Sequence, residues 1–69
     1  MQISARNQLR GTVIGVDHGV TTSHVRIDVG NNTYVTASIT KESAVELQLE
    51  PGKEVTAIIK ASDVMVAVD

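Results

Sequence analysis

Three short segments of this 69-residue chain carry side chains that could do chemistry, and all three offer hydrogen-bond donors. Ser4-Ala5-Arg6-Asn7 supplies a hydroxyl, an amide and a guanidinium fork of the kind that grips a small anion. Thr40-Lys41-Glu42-Ser43 places two hydroxyls three residues apart where a helix is expected to open. The unpaired N–H groups and partial positive charge of a helix start also attract anions. Lys60-Ala61-Ser62 adds a point charge and another hydroxyl beside turn amides. Each segment has a plainer reading: a polar N-terminal arm, helix capping by Thr40, and a lysine blunting the end of a strand. Taken singly, the plainer reading suffices for each. Taken together they give Arg6, Lys60, several hydroxyls and backbone donors, with Glu42 and Asp63 the only acids close by in sequence. That donor-rich set suits a tetrahedral oxyanion, provided the segments meet in space.

The remaining candidates point away from catalysis. His18 and His24 flank Gly19-Val20-Thr21-Thr22-Ser23, but no cysteine and no cluster of carboxylates accompanies them. Two histidines alone cannot close the four-ligand shell of a structural zinc site. No serine sits in a Gly-x-Ser-x-Gly elbow, and no Gly-rich phosphate loop is present. Glu46 and Glu50 read as the wet face of a short helix. Without a nucleophile and base pair, the chain is expected to bind and not to catalyse.

The elements that must position these residues are mostly strands. Val, Ile and Thr make up 24 of the 69 residues, a bias toward pleated, half-buried surfaces. A first strand is read over Leu9–Val16, with Leu9, Gly11 and Val13 on one parity and Ile14 and Val16 on the other. Asp17-His18-Gly19 reads as a turn. Val25, Ile27 and Val29 alternate with His24, Arg26 and Asp28, a strand with one wet face. Gly30-Asn31-Asn32 is a tight hairpin signal, and Thr33–Ile39 is its return strand. Thr40 to Leu47 predicts one or two helical turns with Thr40 as N-cap, and Pro51-Gly52 breaks the chain before a strand over Glu54–Lys60. Ala61-Ser62-Asp63 reads as a turn, and the apolar run Val64–Val68 as a fifth strand. Five strands and one short helix predict an all-β, OB-like five-stranded barrel, with residues 1–69 forming one domain.

Size and charge narrow the function further. A chain of 69 residues buries only about 60% of its unfolded surface and usually needs a staple. With no cysteine for disulfides, oligomerisation is the staple left, and Val64–Val68, apolar on both faces, is where a partner subunit is expected. A net charge of −2 disfavours a nucleic-acid coat, and one aromatic residue, Tyr34, leaves no stacking platform for single strands. No apolar run approaches the ~18 residues of a membrane span. The start Met-Gln-Ile-Ser-Ala-Arg lacks the pattern of an export signal, so the cytoplasm is the expected compartment.

The segments Ser4-Ala5-Arg6-Asn7-Gln8-Leu9-x-Gly11-Thr12-Val13, Ala37-x-Ile39-Thr40-x-x-Ser43 and Ile59-Lys60-Ala61-Ser62-x-Val64 together resemble the molbindins. These are the small Mop-family proteins, whose fold recurs as the TOBE-type domain of molybdate-responsive regulators and importer ATPases. The resemblance covers essentially the whole chain. It implies OB-like barrels assembled as a homohexamer, a trimer of dimers, with molybdate held at subunit interfaces and tungstate as a surrogate. Carried onto this sequence, it implies that Ser4, Ala5 and Arg6 of one subunit face Thr40, Ser43, Lys60 and Ala61 of a neighbour. Asn7 and Ser62 are lesser members of that site, and His18, Gly19 and Val20 would mark a second site nearer the threefold axis. The implied role is molybdate storage and homeostasis. A purely structural oligomerisation module, or a sensing module acting with a regulator or transporter, remains the alternative.

Overall fold

The period-two alternation is realised as a four-stranded antiparallel sheet in the order β3-β2-β1-β4. The computed structural model describes Met1–Asp69. Its elements are β1 (Asn7–His18), β2 (Thr22–Gly30), β3 (Thr33–Thr40), α1 (Lys41–Glu46), β4 (Glu54–Ile59) and a 3-10 turn over Ala61–Asp63.

β1 is the organising strand. Its residues from Thr12 onward pair with β2, while Asn7–Thr12 pair with β4, so one strand serves two halves of a curled sheet. A bulge between Val13 and Gly15 leaves Ile14 as the extra residue and changes the parity of the strand. Both Val13, opposite Ile27, and Val16, opposite Val25, therefore face the core. The two parities of apolar residues in β1 are one inward face interrupted by this bulge. Gly11 sits where β1 passes over β2: a Cβ there would lie 2.5 Å from the Asp28 carbonyl oxygen and 2.7 Å from the Ile27 methyl.

Val13, Val25, Ile27 and Ala57 form the buried cluster, with Val16, Val29, Val35, Ala37, Ile39, Leu49 and Val55 partly buried against it. The β2–β3 hairpin turns where expected. Gly30, Asn31 and Asn32 all adopt left-handed φ values (96°, 51° and 57°), and Asp28 accepts a 2.8 Å hydrogen bond from the Gly30 N–H. α1 packs Ala44 inward and is closed at its C-terminal end by Lys53, whose ammonium donates to the Leu47 carbonyl.

The fifth strand is the correction. Val64–Val68 pairs with nothing in the chain, and Met65, Val66 and Val68 are each close to nine-tenths exposed. The 3-10 turn at Ala61–Asp63, closed by Asp63 N–H to the Lys60 carbonyl at 2.9 Å, sends the tail away from the sheet. A single chain is thus a curled half-barrel with β3 and β4 as open edges, not a closed five-stranded barrel.

Candidate functional site

The register of β1 against β4 creates the first group of donors. Asn7 lies opposite Ile59, so continuing that register by one residue sets Arg6 across from Lys60. Ser4, Ala5 and Arg6 accordingly line one open cleft with Lys60, Ala61 and Ser62, of about 440 Å³, with Ile3 as its apolar wall. Two side chains brace the arm that carries Arg6. Asn7 donates from its amide to the Ile59 carbonyl at 3.2 Å, and Gln8 donates to the Ala5 carbonyl at 3.2 Å. Asn7 therefore acts in this chain as a strut that fixes where Arg6 and Lys60 lie. Ser62 belongs to the cleft as fully as Lys60 does.

The electrostatics of the cleft are one-sided. The single ion pair of the molecule joins Arg10 to Glu54 at 3.5 Å on the outer face of the sheet. Neither Arg6 nor Lys60 has a carboxylate partner, and both are exposed. The cleft can therefore present two cations, the Ser4 and Ser62 hydroxyls and nearby backbone N–H groups to an incoming anion.

The second group lies at the other end of β1. Thr40 ends β3 opposite Thr22, and His18 ends β1 opposite Ser23. Thr40 caps α1 as its sequence position predicts: its hydroxyl oxygen accepts from the Ser43 N–H at 3.1 Å. The same hydroxyl donates to the Ser43 oxygen at 2.8 Å, which leaves the Ser43 proton free to point outward. Ser23 is fully buried, and its hydroxyl meets His18 Nδ1 at 2.6 Å. Sequence reading passed over Ser23, although its parity with Val25 and Ile27 marks it as inward-facing. His18, Gly19 and Val20 line a separate surface cleft with Asp17, Thr21, Thr22 and His24. No group of three or more metal-ligating side chains is present.

Within one chain the two groups do not meet. They sit at opposite ends of the twelve-residue strand β1, far further apart than one tetrahedral anion spans. The structure brings Lys60 and Ala61 to the Ser4–Arg6 arm of their own chain and holds Thr40 and Ser43 together elsewhere.

Fold and clefts define a small OB-like β module whose donors gather at its chain ends and at the far end of β1. Residues 3–66 match the TOBE domain. The chain is 45% identical over its full length, and over the full length of the relative, to a probable molybdenum-pterin-binding protein of Haemophilus influenzae. Among solved structures, it superposes on a molybdate-binding protein from Sporomusa ovata with a TM-score of 0.91 and 37% identity, covering 99% of this chain and 100% of that one. It also matches the cytoplasmic molybdate-binding protein ModG, in a form with molybdate bound, with a TM-score of 0.90 and 40% identity. That match covers 94% of this chain and 46% of ModG. The chain belongs to the TOBE-domain family, among its small molybdenum-pterin-binding (Mop) members.

Proposed function

We propose that this chain, as one folded domain, binds molybdate reversibly and serves as a store or buffer for it in the cytoplasm, without catalysing a reaction. The observation that carries the reading is the cleft in which Arg6 and Lys60 stand together with no carboxylate partner. Names of its relatives point to the same ligand.

The mechanism follows from the chemistry of the anion. Molybdate is a dianion at neutral pH with no proton to donate, so a site offering donors alone is complementary to each of its oxygens. Arg6 can present its guanidinium fork to two oxygens, and Lys60 a mobile point charge to a third. Where well desolvated, each charge-assisted bond contributes about 1.5–3 kcal/mol. Ser4, Ser62 and the amides of Ala5 and Ala61 complete one side of the site.

In a single chain that side is open to water, and its charges would be screened. Thr40 and Ser43 supply the same kind of donor but lie a strand's length away. Both facts support a site closed by a second copy, in which the Ser43 hydroxyl of one subunit faces the Arg6 cleft of another. A rigid wall from two subunits would also reject sulfate by size, while phosphate would set a proton against a donor. Tungstate, with the same charge and shape, is expected to bind in place of molybdate. A hexamer built as three such pairs, with a second anion site at His18, Gly19 and Val20, completes the reading.

Calorimetric titration of the protein with molybdate, with sulfate and phosphate in parallel, tests this function. Saturable molybdate binding that sulfate fails to mimic is the expected outcome. Equal heats from all three anions would reduce the cleft to a nonspecific patch and favour a structural assembly module.

A further inference from the structure

We infer that Ser23 is a positioning residue: its buried hydroxyl holds the His18 ring in the tautomer with hydrogen on Nε2, so that His18 donates to an anion bound beside the loop Gly19–Thr22. The inference deepens the second anion site proposed above and rests on that reading for the ligand.

A buried hydroxyl in an apolar row needs a reason. Ser23 continues the inward row of Val25 and Ile27 and is the chain's one fully buried polar residue. An alanine would fill the position with no polar group to satisfy. The hydroxyl gives up water, and its one hydrogen bond is the 2.6 Å contact with His18 Nδ1. A neutral imidazole carries hydrogen on one nitrogen and a lone pair on the other. With hydrogen on Nδ1, the Ser23 oxygen would accept, and its own proton would be buried facing no acceptor. With hydrogen on Nε2, Ser23 donates to Nδ1 and nothing buried is left unpaired. Hydrogen-bond satisfaction therefore assigns the tautomer.

The two nitrogens of an imidazole point in divergent directions, so a ring anchored inward at Nδ1 directs Nε2 away from Ser23. His18 is exposed and lines two clefts, one of about 390 Å³ with Asp17, Thr21 and His24 and one of about 750 Å³ with Gln48 and Glu50. Neither acid takes up the Nε2 hydrogen. Asp17 is paired in register with His24 and alternates to the outer face, whereas His18 and Ser23 share the inward face of Val16 and Val25. Glu50 makes no hydrogen bond or ion pair with His18. In the loop, the Gly19 N–H already donates to the Thr22 carbonyl at 2.7 Å. The Val20 and Thr21 amides have no backbone acceptor, and Nε2–H is the side-chain donor beside them.

Molybdate offers only acceptor oxygens. Nε2–H attracts one of them, and a bare Nε2 lone pair would repel it. Ser23, which touches no ligand, thus decides the sign of that contact. A neutral donor holds an anion less strongly than the two cations Arg6 and Lys60, so this site fills after their cleft.

Nitrogen-15 NMR of the histidine-labelled protein tests the assignment at about pH 8.5, where an imidazole is neutral, with His24→Gln separating the two rings. His18 should be a single Nε2–H tautomer, and Ser23→Ala should convert it to a mixture. Hydrogen on Nδ1 in the unmodified protein would overturn the inference, as would an unchanged His18 spectrum in Ser23→Ala. Added molybdate should shift the Nε2–H resonance. In calorimetry, Ser23→Ala should weaken the later-filling class of sites by roughly 2- to 12-fold and leave the first class unchanged. In a His18→Ala background, Ser23→Ala should weaken it no further; a loss that persists there would make Ser23 merely structural. The two readings fail differently. An Nε2–H ring that ignores molybdate would remove the second anion site and keep the tautomer. A second class of bound molybdate beside an Nδ1–H ring would keep the site and remove the role of Ser23.

Discussion

The sheet and the chain ends of this protein are built to different rules. From Asn7 to Ile59 the backbone is knitted by pairings of β1 with β2 and β4 and of β2 with β3, around Val13, Val25 and Ile27, each 5% exposed or less. Before Asn7 and after Ile59 no residue joins a strand, nearly every side chain is exposed, and the unpaired cations Arg6 and Lys60 are found. The contrast separates the residues that hold the fold from those proposed to hold the anion. The sheet sets the geometry, and the ends carry exposed donors whose loss the fold should tolerate.

The comparison can be broken most forcefully from the sheet side. Ile27→Ala removes a buried side chain opposite Val13 and should cost about 2–5 kcal/mol, seen as a lower urea midpoint. A loss below about 0.5 kcal/mol would mean that the cluster does not hold the sheet together. Thr40→Ala sharpens the boundary between the two rules, because Thr40 both caps α1 and lies in the second donor group. It should cost about 1 kcal/mol of stability, with Thr40→Ser restoring most of it. Arg10→Ala breaks the exposed pair with Glu54 and should move the urea midpoint by less than the equivalent of about 0.5 kcal/mol. A larger shift would show that the outer face of the sheet contributes more than its exposure implies.

Much of the sheet was legible from sequence because its signals are local. The alternation of Val25 and Ile27 with His24 and Arg26, the Gly30-Asn31-Asn32 turn and the Thr40 cap all act over a few residues, and the structure places each as expected. The bulge at Ile14 was visible only as a conflict of parities, since its resolution depends on the partner strand. Val64–Val68 has the composition of a strand but no partner within the chain, and pairing is not a property that composition carries. The site was legible as three donor segments and not as a constellation. Arg6 and Lys60 are 54 residues apart, and only the register of Asn7 against Ile59 sets them side by side. That same register separates them from Thr40 and Ser43, a distance that spacing along the chain does not reveal.

The proposed function stands on Arg6 and the cleft at the chain ends supplying the charged half of the anion site. Its most direct test is molybdate calorimetry on Arg6→Ala beside the unmodified protein, with urea midpoint and scattering mass measured on both. Loss of a charge-assisted contact worth about 1.5–3 kcal/mol predicts affinity lower by roughly 10- to 150-fold, with fold and assembly unchanged. Unchanged molybdate affinity in Arg6→Ala would contradict the account and move the site away from this cleft.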